Sequence, residues 1–350
     1  MRPPHLYFIL IQFLPLFSHH VISTVPAIIV FGDSTVDAGN NNVIATLLKS
    51  NFAPYGRDFI AGEPTGRFCN GRLATDYIAE AFGLGSTIPA YLDPAFDIED
   101  FMTSVCFASA GTGFDIATSQ VLNVIPLEKE VEYFGEYQER LRNYVGESKA
   151  KQIVNEALYI VSIGTNDFLE NYYALITGRF KQYTIEEFED FLVELAAKFF
   201  SEIYYLGARK IAFTGLCPIG CLPLERTTNL LHGGACIEEY NKVAKDFNSK
   251  MMAKIHELNA ELPGMRLIFL DIYNTVLHII QNPSFYGFVN SRRGCCATGL
   301  FEMSYLCNQW SHATCPDADK YVFWDSFHPT QKMNRIMAQH AVDTYMHLFM

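Results

Sequence analysis

Ala27-Ile28-Ile29-Val30-Phe31-Gly32-Asp33-Ser34 decides how this chain is read. Five apolar residues in a row, without helical spacing, describe a strand buried on both faces, as in a parallel sheet. The run ends on a glycine turn that carries an aspartate and a serine. Four more runs of the same kind follow: Ser104–Phe107, Leu158–Ile163, Lys210–Thr214 and Arg266–Leu270. Helical patterns alternate with them, at 72–82 before Gly83, and at 127–145, 185–206 and 237–261. Strand, helix, strand in alternation predicts right-handed crossovers and a five-stranded parallel sheet covered on both faces. No repeat, low-complexity tract or linker divides the chain. The segment 282–320 is rich in Cys, Gly, Asn and Ser and reads as a stapled loop region.

Composition bounds the rest. Of 350 residues, 49% are apolar and 18% charged, which excludes general disorder. A formal net charge of −12 repels phosphate backbones and argues against nucleic-acid partners. Residues 1–23 open on Arg2 and continue with an apolar run from Leu6 to Phe17, then small residues near Ser23. That pattern predicts a secretory signal ahead of one domain over 24–350, and it is too short for a membrane span. An extracellular location without integral membrane association is expected. Nine cysteines then predict disulfides, with at least one thiol left over because the number is odd. Cys106, in an apolar run, is the candidate for the unpaired thiol. Their spacings, CxxxC and CC without a histidine cluster, do not suit zinc. No glycosylation sequon is present, since Pro283 spoils Asn282-Pro283-Ser284.

In a parallel sheet, chemistry gathers at the carboxyl ends of the strands. Ser34 follows the first strand, where a tight turn exposes a candidate nucleophile. Its bland alternative is a helix cap. Gly111-Thr112-Gly113 follows the second strand. Ile116 stands where a dinucleotide fingerprint needs its third glycine, so what remains is a turn with free N–H groups suited to an oxyanion. Asn166, in Gly164-Thr165-Asn166-Asp167, follows the third strand and offers an amide donor, with an Asx-turn as the alternative. Near the C-terminus, Asp325 and His328 are three residues apart. A carboxylate at that spacing reaches the imidazole Nδ1–H and leaves Nε2 as a base, or else forms a purely structural pair. His232-Gly233-Gly234 follows no suitable strand and lacks a GxSxG partner. Neither HExxH nor GxxxxGK[ST] occurs.

Taken together and in order, Phe31-Gly32-Asp33-Ser34, Phe107-Ala108-Ser109-Ala110-Gly111, Gly164-Thr165-Asn166-Asp167 and Asp325-Ser326-Phe327-His328-Pro329 resemble the GDSL (SGNH) esterase/lipase family. The secreted plant branch is the nearest likeness, through Arg67-Phe68-Cys69-Asn70-Gly71-Arg72, Gly220-Cys221-Leu222-Pro223, Gly294-Cys295-Cys296 and Leu306-Cys307-Asn308. The resemblance runs from about residue 26 to 340. It departs at Thr35, where the naming leucine would stand, and at Cys106 and Cys217.

The resemblance implies a three-layer α/β/α, flavodoxin-like SGNH hydrolase fold. It implies Ser34 as nucleophile, His328 as general base and then acid, and Asp325 as the residue orienting His328. The Ser34 N–H, the Gly111 N–H and the Asn166 amide would form the oxyanion hole. Asp33 would brace the turn. The substrate would be a small-molecule or lipid carboxylic ester, attacked through an acyl-enzyme, with no metal or organic cofactor. An extracellular acyltransferase with the same triad is the alternative, and an inactive lipid-binding coat protein a more remote one. Neutral His328 is needed as base, so hydrolysis is expected to fall on the acid side.

Overall fold

The computed structural model describes residues 25–173 and 178–350. The expected signal at 1–23 lies outside them. Along the chain run β1 (Ile28–Gly32), α1 (Ala74–Ala81), β2 (Ser104–Cys106), α2 (Ile116–Leu122), α3 (Leu127–Val145), α4 (Glu147–Glu156) and β3 (Leu158–Ser162). Then come α5 (Ile185–Tyr205), β4 (Lys210–Thr214), α6 (Pro223–Thr228), α7 (Glu238–Glu261), β5 (Arg266–Leu270), α8 (Tyr273–Gln281), β6 (Asn290–Gly294), β7 (Tyr321–Phe323) and α9 (Gln331–Tyr345).

Strands β1 to β5 form one parallel sheet in the order β2-β1-β3-β4-β5. The five apolar runs are these strands, with ends moved by a residue or less. β1 extends to Gly32 because it pairs in register with Ser162. Alternate side chains leave opposite faces of the sheet. Ile29, Phe31, Tyr159, Val161, Ile211 and Phe213 pack with residues of α3, α4, α5 and α7. Ile28, Val30, Leu158, Ile160 and Ala212 pack with α1 and α9. The result is a three-layer α/β/α sandwich, as the resemblance implied.

Helix α1 starts two residues later than its apolar spacing suggests. Leu73 is extended and donates its N–H to Asp76 Oδ2 (2.8 Å), which caps the first turn. Asp76 also takes a two-pronged ion pair from Arg67 (2.9 Å on each prong), both partners buried. The region 282–320 is mostly loop, but 290–294 forms a strand paired in parallel with β7. Its polar sequence Asn-Ser-Arg-Arg-Gly carries no strand pattern, and pairing alone makes it one.

Three disulfides join Cys221 to Cys236, Cys295 to Cys315 and Cys296 to Cys307. Cys106 is a free thiol, as expected from its apolar run, and Cys69 and Cys217 are free too. Burial pushes the Cys69 and Cys217 thiols up to about 12. Among the described residues, no helix is long and apolar enough to cross a membrane.

Candidate active site

The serine turn sits on the carboxyl end of β1. Gly32 has φ +136°, and a Cβ there would overlap the Ser162 carbonyl of the neighbouring strand. Only glycine allows so close an approach, and the chain turns sharply with Ser34 at its tip. Asp33 Oδ1 accepts from the Thr35 N–H (2.9 Å) and the Thr35 hydroxyl (2.7 Å), which ties the turn to itself. The Thr35 hydroxyl also meets Ser162 Oγ (2.8 Å). From below, Glu130 of α3 accepts the Gly32 N–H (3.0 Å). Nothing in sequence spacing points to Glu130, which lies 98 residues away. Burial raises three carboxyls here: Asp33 and Asp37 to about 6, and Glu130 well above its usual range.

Two further strand tips bring donors to this turn. Gly111 has φ +90° and stands with its backbone exposed to the same small cleft as Ser34, Asn166 and His328. Neither the Ser34 nor the Gly111 N–H donates to a protein acceptor among the described residues. Asn166 donates one amide hydrogen to the Thr112 carbonyl (2.9 Å), which leaves the second for a guest. Its neighbour Asp167 accepts from the Phe114 N–H (2.8 Å), the Asp115 N–H (3.0 Å) and the Thr118 hydroxyl (2.7 Å). Asp167 thus fastens the third strand tip to the second, and burial lifts its carboxyl to about 7.

His328 arrives from the far end of the chain. Its Nε2 lies 2.7 Å from Ser34 Oγ. Its Nδ1 lies 3.0 and 2.9 Å from the two Asp325 oxygens. A carboxylate only accepts, so Nδ1 carries the proton and Nε2 is left to accept from the Ser34 hydroxyl. Asp325 Oδ1 also takes the N–H groups of Phe327 (2.8 Å) and His328 (2.7 Å) and so shapes its own turn. All three side chains are buried.

Other residues hold this segment. The Tyr55 hydroxyl donates to Asp325 Oδ2 (2.8 Å) and accepts the Ser304 N–H (2.8 Å). Burial, and then the Asp325 charge, keep the Tyr55 phenol protonated, well above its usual range. Phe68 packs on the imidazole with ring centroids 4.9 Å apart. The N–H groups of Cys295 and Cys296 bond the Phe323 and Trp324 carbonyls (3.0 and 2.7 Å), so the disulfide-stapled loop runs directly behind Asp325. Sequence reading marked Phe68 and the Cys295-Cys296 pair only as parts of motifs and passed over Tyr55. No pattern connects Tyr55 to a partner 270 residues away.

The structure therefore brings together all five residues singled out in the sequence: Ser34, Gly111, Asn166, Asp325 and His328. Such a set can activate a serine hydroxyl and receive an oxyanion. Among the described residues, no cluster of three or more His, Cys, Asp or Glu side chains is placed to hold a metal ion.

Comparison with known proteins leads to the same place. Three GDSL esterase/lipases of Arabidopsis thaliana are 60%, 56% and 55% identical to this chain. The alignments cover 91%, 90% and 93% of it, and 90%, 89% and 93% of the relatives. The family model described as GDSL-like Lipase/Acylhydrolase matches residues 28–341, from the first residue of β1 into the last helix. With the sheet, the serine turn and this match in agreement, the chain belongs to the GDSL-like lipase/acylhydrolase family, a family of carboxylic ester hydrolases.

Proposed function

We propose that this protein is a secreted serine esterase or lipase that cleaves carboxylic esters through an acyl-enzyme on Ser34. The observation that carries the reading is the 2.7 Å contact of Ser34 Oγ with His328 Nε2, backed by Asp325 on Nδ1. Ser34 Oγ attacks the acyl carbon while its proton passes to His328 Nε2. The negative oxygen is received by the Ser34 and Gly111 N–H groups and the Asn166 amide. His328 then gives its proton to the departing alcohol. Water repeats the sequence on the acyl-enzyme and releases the acid. A hydroxyl is a poor nucleophile without such a base, and removing one preorganised donor of this kind costs about 10²–10³ in rate in a well-studied protease.

Secretion is supported by the apolar N-terminal run and by three disulfides, which persist in oxidising compartments. One hydrolase domain over residues 24–350 is the corresponding organisation.

Activity of wild type and Ser34→Ala on an activated acetate ester tests the reading. The expected result is a loss of about 10⁴-fold or more, with an unchanged melting temperature and no labelling by a fluorophosphonate. Near-normal hydrolysis by the variant would overturn the assignment of Ser34. Product analysis with an acceptor alcohol present separates hydrolysis from acyl transfer, and free acid alone is expected.

A further inference from the structure

Gly32 is bonded on both sides of its backbone. Its N–H donates to Glu130 Oε2 (3.0 Å), and its carbonyl accepts the Ser109 N–H (2.9 Å). Ser34 lies two residues past Gly32, and Gly111 two residues past Ser109. The serine turn and the Gly111 turn therefore meet at Gly32, and a side chain of α3 holds Gly32 in place. Asp37 supports the Gly111 side separately, through the Ala110 N–H (3.1 Å). Glu130 is wholly buried. Its second oxygen, Oε1, has no hydrogen-bond partner among the described residues. The charged groups that act on it are Asp37 and Asp33, both acidic.

We propose that Glu130 is a positioning residue for the oxyanion hole, an uncharged carboxylic acid that fixes Gly32 and, through it, the Ser34 and Gly111 N–H groups. The inference rests on the hydrolase reading and adds to it a residue that touches no substrate.

The position and the charge have separate physical grounds. An oxyanion donor works because it stands in place before the charge develops. A misplacement of about 1 Å costs about 10²-fold in rate, so the group that sets the height of Gly32 bears on the chemistry without touching it. The charge follows from the surroundings. An ionised carboxylate buried with one oxygen unbonded is far costlier than the neutral acid. Burial dominates at Glu130, the Gly32 N–H opposes it, and the charges of Asp37 and Asp33 add to it, which keeps the carboxyl protonated well above its usual range. A negative charge behind the turn would also oppose the oxyanion that the same turn receives. Glutamine offers Gly32 the same kind of acceptor without a charge, whereas leucine has the bulk and no acceptor.

Glu130→Gln and Glu130→Leu test the role in the full chain. The Gln variant is expected to keep kcat within about threefold of wild type. In the Leu variant kcat is expected to fall by about 10- to 100-fold with KM little changed, since binding of the ground state is untouched. Fluorophosphonate labelling, normalised to folded protein, should slow in parallel. Infrared difference spectra of wild type against Glu130→Gln read the charge. They are taken at about pH 8, where Asp33, Asp37 and Asp167 are mostly ionised, and a protonated-acid carbonyl band is expected in wild type alone. A folded Leu variant with wild-type kcat would overturn the positioning role. A Gln variant as slow as the Leu variant, or the absence of the acid band, would overturn the uncharged acid. If Glu130→Leu does not fold, Glu130→Asp, one methylene shorter, takes its place: a slower kcat is expected, and an unchanged one overturns the role. If wild type hydrolyses no ester and takes no fluorophosphonate label, the hydrolase reading fails, while the infrared band still decides the state of Glu130.

Discussion

Ser34 and His328 meet at 2.7 Å, yet the two sides of that contact are built differently. The serine turn hangs from the central strand pair β1–β3. It is closed by its own side chains and floored by a carboxyl from α3. The Asp325–His328 segment has no place in the main sheet. It is held by the stapled loop of Cys295 and Cys296, by Tyr55, by the Phe68 ring and by the short β6–β7 pair. One side depends on backbone geometry, the other on covalent closure and aromatic packing. Damage to each should therefore look different.

The strand side should break hardest. Gly32→Ala places a Cβ against the Ser162 carbonyl at a φ that disfavours side chains. A loss of more than about 4 kcal/mol in stability is expected, seen as a collapsed denaturant midpoint. A well-folded, active variant would show that the turn can relax.

The second test removes a staple from the other side. Cys295→Ala with Cys315→Ala opens the loop behind Asp325 and should cost about 2–4 kcal/mol. Activity should fall further than the folded fraction does, because the His328 segment loses its backing. Equal losses of activity and folded protein would mean the staple serves stability alone.

The third separates positioning from folding. Tyr55→Phe keeps the ring among Phe68 and Trp324 and removes the hydroxyl from Asp325. A hydrogen bond to a charged group is worth about 1.5–3 kcal/mol, so kcat should fall by about tenfold or more with KM little changed. The acid limb of the pH–rate profile should move to higher pH, because Asp325 then holds its charge less shared and favours protonated His328. An unmoved profile would leave Tyr55 a packing residue.

The smallest effect concerns pH and stability. Burial raises Asp33 and Asp37 to about 6 and Asp167 to about 7, from the ordinary 3.8. A native state with raised carboxyls holds protons more tightly than the unfolded chain. Its contribution is full below about pH 4 and is lost as pH rises through 6 to 7. The melting temperature should fall across that window. The decline should be shallower in Asp167→Asn. A melting temperature that climbs from pH 5 to 7 would contradict the burial argument.

How much of this was legible depended on how local its cause is. The strands were legible because a segment buried on both faces must be apolar throughout, and Ile28–Phe31 and Leu158–Val161 carry that mark. Helices over 127–145 and 185–205 were legible because one face must be apolar. The strand at 290–294 was not, because its polar residues become a strand only by pairing with β7. Cys106 as a free thiol followed from its apolar setting. That Cys69 and Cys217 are free as well depends on which sulfurs lie close enough to bond, and sequence does not record that distance.

The amino-acid sequence by itself determined the layered α/β architecture and the turns that carry Ser34, Gly111, Asn166, Asp325 and His328. Burial patterns and glycine turns are short-range properties, written in a few consecutive residues. The tertiary structure alone decided the strand order, the floor that Glu130 gives the serine turn and the reach of Tyr55 to Asp325. Each of these is a contact between segments far apart in the chain. Such contacts are set by how whole layers pack, and no single segment carries that information.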